Sequence, residues 1–345
     1  MERKKVAING LGRIGKHAVR ILLNRFWDSI ELVAINAPLL DSEQAAYIIN
    51  YDSVYGYFEE FDVVGKDGIL YISQLEDAKA VRRVTLFDTF DTSTLPWKEL
   101  GIDVVIDCSG AYKTLEDALV HISSGAKKMV ISAPVKDVGI PTLVTGVNDA
   151  NLPDNLVISN ASCTTNCAAT VLKVLSDHFS IESVAGVTVH AYTQTQVLLD
   201  KETKKGLREG RAAGLNIVPS TTGAASAIEL VLPHLKGKVD MMSMRVPVPS
   251  GSVVYLTVTT KENTTTHQVN ELFKNAGQTS MKDILFYSEE ELVSSDIVGT
   301  PYSSIVDALS TGVTGGNHIR VVAWYDNEWG YTNRLIELAL RVAKN

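Results

Sequence analysis

Residues 5–15 read KVAINGLGRIG, so an apolar, strand-like segment leads directly into three glycines with the spacing G-x-G-x-x-G. In this context each glycine has its own purpose. Gly10 allows a tight turn, Gly12 lets a phosphate approach the backbone, and Gly15 lets the following helix pack closely. The N-terminus of that helix would present free N–H groups and a partial positive charge. The stretch therefore predicts the first strand, turn and helix of a dinucleotide-binding fold.

The sequence after this turn continues the alternation of helix and strand. A helix is predicted over 13–25, with an apolar face formed by Ile14, Ala18, Ile21 and Leu22. Short, nearly continuous apolar strands are predicted at 31–36, 103–110, 128–134 and 156–160. Strands that alternate with helices indicate a parallel sheet that is covered on both faces. The first part of the chain is therefore expected to be an α/β domain.

The pattern changes after about residue 163. Longer strand-like segments, with few helices between them, occur at 186–193, 242–249, 252–260 and 318–326. This pattern predicts a mixed or antiparallel sheet. The segment 333–344 has the apolar spacing of an amphipathic helix. We therefore expect a second, α+β domain.

Composition narrows the classes of function. The chain has 345 residues, 45% of them hydrophobic and 21% charged, which is enough for two cores. Its net charge of −8 gives no general attraction to nucleic acid or to anionic membranes. The first residues lack the apolar core of a signal peptide, and no apolar run is long enough to span a membrane. Three cysteines, an odd number, argue against a disulfide framework and for a reducing, cytoplasmic setting.

The end of the second strand lacks an expected carboxylate. NAD-binding folds usually have an acidic residue there, which accepts a hydrogen bond from the adenosine ribose. Here the strand ends Asn36-Ala37-Pro38. Ala37 provides neither that bond nor repulsion of the 2′-phosphate of NADP, yet no Lys or Arg lies between Ala37 and Asp62 to bind a phosphate. The sequence leaves the choice of NAD or NADP open and predicts that NADP is at least measurably used.

Residues 160–167 read NASCTTNC and hold two of the three cysteines at a strand-to-helix junction. Ser162 is the predicted N-cap, which places Cys163 in the first helical turn. A helix N-terminus stabilises a thiolate by at most about 2 kcal/mol, whereas lowering a thiol pKa from ~8.5 to about 6 takes roughly 3.4 kcal/mol. An imidazolium is therefore needed, and His190, near the end of a strand, is the best candidate. The hypothesis is a Cys163 thiolate at neutral pH.

Cys167, Arg245 and the turn at 220–225 each also have a structural interpretation that needs no ligand or catalysis. Cys167, one turn further along the helix, is expected to be structural, and two cysteines without a second Cys or His pair predict no metal site. Arg245 is a lone cation in an apolar strand, where it suits an anionic ligand or a buried ion pair. The turn STTGAA, at 220–225, suits an anion or a simple N-cap.

At this point the chain resembles a known family, the glyceraldehyde-3-phosphate dehydrogenases. The motifs that carry the resemblance are INGLGRIG, YDSVYG, SGAKKMVISAP, GVN, SNASCTTNC, VHAYT, STTGAA, RVPVP and WYDNEWGYTNR, which cover essentially the whole chain in order. The resemblance implies a Rossmann dinucleotide-binding domain over 1–162, completed by a C-terminal helix at 327–345, and a catalytic domain over 163–326. It also implies a homotetramer that converts D-glyceraldehyde 3-phosphate and inorganic phosphate reversibly to 1,3-bisphosphoglycerate.

The same resemblance implies roles for individual residues. Cys163 would attack the aldehyde, and His190 would take the proton of the hemithioacetal while hydride passes to the coenzyme. The implied phosphate-binding residues are Thr193, Thr195 and Arg245 for the substrate, and Ser162, Thr164, Thr222 and Gly223 for inorganic phosphate. The implied coenzyme-binding residues are Gly10, Gly12, Arg13, Ile14, Gly15, Ala37, Ser109, Ser132, Asn327 (for the carboxamide) and Tyr331 (near the nicotinamide ring).

Some positions depart from the family pattern. Phe90 stands where an Arg is common, and Ser226 stands where a Lys is usual. Glu202 lies in a loop that in this family reaches toward a neighbour's coenzyme, together with three lysines that could attract a phosphate: Lys201, Lys204 and Lys205. Coenzyme preference, and with it a glycolytic or gluconeogenic direction, stays open.

Two rival functions make different demands on the residues of these motifs. The first is an erythrose-4-phosphate dehydrogenase, which would keep the thiol and the histidine but handle phosphate differently. The second is a non-catalytic scaffold, which predicts loss of Cys163, His190 or Arg245. All three are present.

Overall fold

The computed structural model describes residues 3–76, 80–203 and 206–344. The predictions made for Lys204 and Lys205, and the outermost residues of the predicted dinucleotide-binding domain, lie outside these ranges. The chain forms two compact units. One comprises Met1–Leu143, Asn151–Ala161 and Thr332–Asn345, and the other comprises Val144–Ala150 and Ser162–Tyr331.

The first unit alternates strands and helices, as the sequence predicts. Its strands are β1 (Lys4–Asn9), β2 (Ile30–Asn36), β3 (Phe61–Lys66), β4 (Ile69–Gln74), β5 (Val81–Phe87), β6 (Val104–Asp107), β7 (Lys128–Ile131) and β8 (Val157–Ser159). Its helices are α1 (Arg13–Phe26), α2 (Ser42–Asn50), α3 (Trp97–Leu100) and α4 (Leu115–Ser123).

These strands form one sheet in the order β3-β4-β5-β2-β1-β6-β7-β8. Every neighbouring pair from β5 to β8 is parallel, which confirms the predicted parallel sheet. The hairpin β3–β4 adds two antiparallel strands that the sequence analysis did not predict. The order reverses at β1, because β2 and β6 lie on its opposite sides. The crevice at the carboxyl ends of strands around such a reversal is where α/β folds bind ligands.

The core of the first unit follows from the apolar pattern. Val6, Ala7 and Ile8 of β1 are fully buried, as are Ala18, Ile21 and Leu22 on the predicted face of α1. Of the predicted apolar face, only Ile14 is partly exposed. The helix is also buried on its charged side, where the Arg20 guanidinium donates to two backbone oxygens at the end of α2 and to the carbonyl of Gly56 beyond it.

The second unit is built on a second sheet. Its strands are β9 (Ile181–Ala191), β10 (Val218–Thr221), β11 (Val239–Val246), β12 (Ser252–Thr260), β13 (Leu285–Ser288), β14 (Ser304–Asp307), β15 (Gly312–Thr314) and β16 (His318–Tyr325). Its helices are α5 (Cys163–Ser176), α6 (Ala224–Val231), α7 (Thr266–Gln278) and α8 (Ser294–Ile297). The last helix, α9 (Trp329–Val342), begins in this unit and continues into the first.

The strand order is β10-β11-β9-β12-β16-β14-β13, with β15 paired to β16. The pairs β11/β9 and β13/β14 are parallel and the other pairs are antiparallel, so the predicted mixed, largely antiparallel sheet is confirmed. The fold class is therefore the expected one, a Rossmann-type α/β unit and an α+β unit. Over the described ranges, no helix is both long enough and apolar enough to cross a membrane.

Candidate active site

The octet NASCTTNC forms the predicted junction into α5. The side chain of Ser162 accepts a hydrogen bond from the backbone N–H of Thr165 and caps the helix. Ala161, just before the cap, has φ +55°, a left-handed conformation that is uncommon for a residue with a side chain. Such local strain concentrates at functional turns. The cap fixes Cys163 as the first residue of α5, so its sulfur lies at the positive end of the helix.

Strand register brings the predicted base to this thiol. His190 lies one residue before the end of β9, and Arg245 of the neighbouring parallel strand β11 is its register partner. Sγ of Cys163 lies 3.4 Å from Nε2 of His190. His190 is buried, with 4% of its surface exposed. The structure therefore joins residues that are 27 positions apart in the sequence.

The other ring nitrogen of His190 has two competing partners. Nδ1 lies 2.7 Å from the carbonyl oxygen of Ala191 and 2.6 Å from Nη1 of Arg245. A proton on Nδ1 would be donated to Ala191 and would leave a lone pair on Nε2, facing the thiol. A bond from Arg245 instead needs the lone pair on Nδ1 and puts the proton on Nε2. Only the first tautomer lets His190 accept the proton of Cys163.

The surroundings of the pair act against the charge state that the sequence predicts. Burial raises the pKa of the Cys163 thiol, while the Arg245 guanidinium and backbone N–H groups at the start of α5 lower it in part. Burial, and then the Arg245 charge, lower the pKa of His190 to about 3. An imidazole with that pKa is neutral at pH 7 and cannot supply the imidazolium. Burial thus acts against the predicted resting thiolate more strongly than the helix end and the nearby cation favour it, although Cys163 itself stays partly exposed.

Tyr325, at the end of β16, completes the surroundings of the pair. Its hydroxyl oxygen lies 2.9 Å from Oγ1 of Thr164 and 2.8 Å from Oγ1 of Thr188, which ties the first turn of α5 to β9. Its ring packs edge-on against His190, with centroids 6.0 Å apart. Sequence reasoning did not single out Tyr325, although it lies within the quoted motif WYDNEWGYTNR.

A second hydrogen-bonded chain connects Asn327 to His190. Oγ of Ser252 donates to Oδ1 of Asn327 at 2.8 Å and accepts a bond from the backbone N–H of Ala191 at 3.1 Å. The carbonyl of the same Ala191 faces Nδ1 of His190. With Oδ1 of Asn327 occupied, its amide N–H₂ group is oriented as a donor. Ser252 is fully buried and carried no signal in the sequence.

The implied phosphate ligands lie at several places in the second unit. Oγ1 of Thr193 and Oγ1 of Thr195 are 3.0 Å apart in the loop after β9. Nε of Arg245 is buried without a hydrogen-bond partner in the described part of the chain. Thr222 and Gly223 lie at the start of α6, a helix that packs against α5. Hydrogen bonds join Cys163, His190 and Arg245, whereas none of these three is bonded to Thr222 or Gly223 within the described ranges.

Cys167 is fully buried and packs into the unit. Its sulfur lies 3.3 Å from Oγ of Ser304, and burial raises its pKa to about 12. A thiol with that pKa is protonated at neutral pH and is a poor nucleophile. The two cysteines of the octet differ in exposure and in partner, since Cys163 is partly exposed and lies beside His190 whereas Cys167 is buried. The structural role of Cys167 stays a prediction.

The glycine turn of the first unit has the shape that a dinucleotide needs. Gly10 has φ +95°, and its N–H donates to the carbonyl of Asn36 at 2.8 Å. A Cβ on Gly15 would lie 1.9 Å from the carbonyl oxygen of Gly10, so α1 can approach only with glycine there. A Cβ on Gly12 would meet nothing within 4 Å. This open space beside the N-terminus of α1, which begins with Arg13 and Ile14, fits a pyrophosphate.

Three other predicted coenzyme residues follow the carboxyl ends of strands in the first unit. Ala37 follows β2 and is buried. Oγ of Ser109, after β6, donates to Asp107 at 2.7 Å, and Ser132, after β7, donates its N–H to the carbonyl of Asp107. Tyr331 belongs to the second unit, where its N–H donates to the carbonyl of Asp326 at 3.3 Å. The departures Phe90, Glu202 and Ser226 are all exposed.

Comparisons with known proteins agree with these two units. Residues 4–115 match the family model described as glyceraldehyde 3-phosphate dehydrogenase, NAD binding domain, and residues 162–327 match the corresponding C-terminal domain. The chain is 44% identical to glyceraldehyde-3-phosphate dehydrogenase 2 of Bacillus subtilis, across 98% of this chain and 96% of that protein. It is 46% identical to glyceraldehyde-3-phosphate dehydrogenase 1 of Streptomyces avermitilis, across 98% of both. It is 42% identical to the cytosolic enzyme of Ginkgo biloba, across 98% of this chain and 97% of that protein.

Proposed function

The chain belongs to the glyceraldehyde-3-phosphate dehydrogenase family, and from this premise we propose that Cys163 is its nucleophile and His190 its acid–base group. The enzyme oxidises D-glyceraldehyde 3-phosphate with inorganic phosphate to 1,3-bisphosphoglycerate, a reaction of glycolysis, and uses NAD(P). The observation that carries the residue assignment is the 3.4 Å distance between Sγ of Cys163 and Nε2 of His190.

The first step forms a bond between Sγ of Cys163 and the aldehyde carbon. The thiol proton passes to Nε2 of His190 as the sulfur attacks, and then from His190 to the carbonyl oxygen, which gives a neutral hemithioacetal. The step needs the tautomer in which Nδ1 donates to the carbonyl of Ala191. Because His190 is neutral at rest, it can accept a proton without first losing one.

The second step oxidises the hemithioacetal to a thioester. His190 takes the hydroxyl proton while the carbon loses hydride, for which a bound nicotinamide coenzyme would supply the acceptor. A phosphate oxygen then attacks the thioester carbon, the C–S bond breaks, and His190 returns its proton to the sulfur. A thioester retains enough free energy to form an acyl phosphate, which explains a cysteine nucleophile.

We propose that Arg245, Thr193 and Thr195 bind the substrate phosphate. Two hydroxyl groups 3.0 Å apart support this assignment, as does a guanidinium whose buried Nε has no hydrogen-bond partner among the described residues. A phosphate that draws the guanidinium away from Nδ1 would also release His190 to donate to Ala191. Substrate binding would then favour the tautomer that the reaction needs.

The attacking phosphate and the nicotinamide require further groups. For inorganic phosphate we propose Ser162 and Thr164 at the start of α5, with Thr222 and Gly223 at the start of α6, because helix N-termini favour anions. For the nicotinamide we propose Tyr331 beside the ring and the amide N–H₂ of Asn327 as donor to the carboxamide. Ser252 would position both Asn327 and, through Ala191, His190.

The assembly and setting of the enzyme are also proposals. We propose a homotetramer in the cytoplasm, supported by the resemblance of the whole chain to its family and by the odd cysteine count. We propose a dinucleotide-binding domain over 1–162 with 327–345 and a catalytic domain over 163–326. The two compact units, which divide near residues 162 and 331, support this division.

The experiment that tests the residue assignment compares two conservative variants. Purified protein should reduce coenzyme with glyceraldehyde 3-phosphate and inorganic phosphate. Cys163→Ser should abolish that activity, whereas Cys167→Ser should retain most of it. Comparable loss in both variants would refute the division of roles. A parallel assay with erythrose 4-phosphate, on which we expect lower catalytic efficiency, tests the related aldehyde dehydrogenase.

A further inference from the structure

We infer that Asp88, the residue after β5, selects the coenzyme in place of the carboxylate that is missing at residue 37, and that the enzyme prefers NAD. The inference rests on the NAD(P) use of the family. It does not depend on the roles proposed for Cys163 and His190.

Strand register places Asp88 beside Ala37, the position that lacks a carboxylate. Strands β2 and β5 are parallel neighbours, with Asn36 paired to Phe87. The N–H of Ala37 donates to the carbonyl of Phe87 at 2.8 Å, so the pairing continues one residue past the strands. The next residue, Asp88, is therefore the lateral neighbour of Ala37. Adjacent strands are about 4.8 Å apart, and their paired side chains point to the same face. The Asp88 carboxylate therefore lies one strand to the side of the place where a carboxylate on residue 37 would lie.

The carboxylate of Asp88 is held in place at this rim. Oδ1 accepts a bond from the N–H of Leu39 at 2.6 Å, and Leu39 has φ +72°, a conformation that is uncommon for leucine. The side chain of Asn36 bridges to both backbone groups of Thr89, at 3.0 and 3.2 Å, which locks the two loops together. Within the described ranges, Oδ2 of Asp88 has no hydrogen-bond partner. It is thus available to accept a bond from a ribose hydroxyl.

The same rim adjoins the glycine turn. The N–H of Gly10 donates to the carbonyl of Asn36, so the turn that fits a pyrophosphate is bonded to the end of β2. The cations closest to that turn in sequence are already engaged. Arg13 and Lys16 both pair with the carboxylate of Asp52. A 2′-phosphate of NADP at this edge would be repelled by the Asp88 carboxylate. The nearby cations Arg13 and Lys16 would not offset this repulsion, because they already pair with Asp52.

The physical consequence is a preference and not an absolute choice. A ribose 2′-hydroxyl can donate to the carboxylate, and a 2′-phosphate cannot. A hydrogen bond to a charged group changes affinity by about 10- to 100-fold. Because Ala37 adds no second carboxylate, we expect NADP to bind more weakly than NAD by about this factor and still to be used.

The test measures coenzyme binding by calorimetry, without aldehyde or phosphate. The dissociation constants of NAD⁺ and NADP⁺ are compared for wild type, Asp88→Asn, Asp88→Ser and the control Asp91→Asn, which neutralises an exposed carboxylate three residues along the same loop. We expect wild type to favour NAD⁺, both Asp88 variants to reduce that preference by about tenfold or more, and Asp91→Asn to leave it unchanged.

Two results would overturn the inference. One is a wild-type enzyme that binds NADP⁺ as tightly as NAD⁺, and the other is a change in the Asp88 variants no larger than that in Asp91→Asn. Either result could occur with full dehydrogenase activity. Conversely, if the roles proposed for Cys163 and His190 proved wrong, the ratio of the NAD⁺ and NADP⁺ dissociation constants would be unaffected. The experiment therefore distinguishes failure of this inference from failure of the proposed function.

Discussion

Nη1 of Arg245 lies 2.6 Å from Nδ1 of His190, at the nitrogen that faces away from the reactive thiol. The same nitrogen lies 2.7 Å from the carbonyl of Ala191, and it can serve only one of these partners as donor or acceptor. The site therefore holds its base between two tautomers, one competent and one not. An anionic substrate that pairs with Arg245 biases the choice toward the competent one.

Replacement of His190 should slow the chemistry and leave coenzyme binding unchanged. His190→Asn removes the proton acceptor at Nε2, and general-base catalysis contributes about 100- to 10,000-fold. We expect kcat to fall by about that range and the dissociation constant of NAD⁺ to stay at its wild-type value. Steady-state kinetics and calorimetry measure the two quantities. A variant that keeps most of its kcat would contradict the role of His190.

Replacement of Ser252 should affect coenzyme binding and catalysis together. Ser252→Ala removes the bond to Asn327 and the acceptor for Ala191 N–H, so both the carboxamide donor and the carbonyl behind His190 lose support. We expect roughly tenfold weaker NAD⁺ binding together with a reduced kcat. The matched control is Ser243→Ala, which removes a buried hydroxyl without a partner in the described chain. Equal behaviour of the two variants would reduce Ser252 to a packing residue.

The glycine turn offers a variant that separates folding from binding. A Cβ on Gly12 meets nothing within 4 Å, so Gly12→Ala should fold normally, yet the methyl group enters the space assigned to the pyrophosphate. We expect an unchanged melting temperature and about tenfold or greater loss of NAD⁺ affinity. Gly15→Ala should differ, because its Cβ would lie 1.9 Å from the carbonyl oxygen of Gly10 and should lower the melting temperature as well. Normal NAD⁺ affinity in Gly12→Ala would place the pyrophosphate elsewhere.

Acid should weaken the first unit through Asp52. Burial alone would raise the pKa of this carboxyl, but hydrogen bonds from Lys16, two backbone N–H groups and Arg13 hold it well below its ordinary range. A depressed native pKa stabilises the fold above the unfolded value, about 3.9, and this contribution is lost as the pH falls toward the native pKa. Asp52→Asn should therefore melt below wild type at pH 7, and the difference should shrink below about pH 4. A difference that stays constant with pH would exclude this linkage.

Most of the fold could be predicted because its strands and helices carry strong apolar patterns. Strands β1, β2 and β12 lie where the sequence places them, whereas β9 begins before the predicted segment 186–193, at Ile181. The hairpin β3–β4 was missed; it lies at the edge of the sheet, and its buried positions alternate with more exposed ones. Its turn did carry a signal. Asp67 and Gly68 both have positive φ, the geometry for which Asp-Gly is favoured in tight hairpins.

The site residues could be predicted where the chemistry requires one residue type at the start of a helix or the end of a strand. Cys163 at a capped helix start and His190 near a strand end were found in this way. Tyr325 and Ser252 were not, because a tyrosine or serine in a strand has many possible roles and only strand register decides which one it has. The charge state could not be predicted from the sequence, since the helix end and a nearby histidine are visible there, whereas the burial that raises the Cys163 pKa and lowers the His190 pKa is not.

The most direct measurement traps the covalent intermediate. Enzyme mixed with glyceraldehyde 3-phosphate and NAD⁺, without inorganic phosphate, is quenched in acid and digested, and the adduct is located by mass spectrometry. We expect one 3-phosphoglyceryl thioester per chain, on the peptide that holds Cys163, with the same adduct forming more slowly in His190→Asn. Reduction of NAD⁺ with no adduct on Cys163, or with the adduct on another residue, would contradict it.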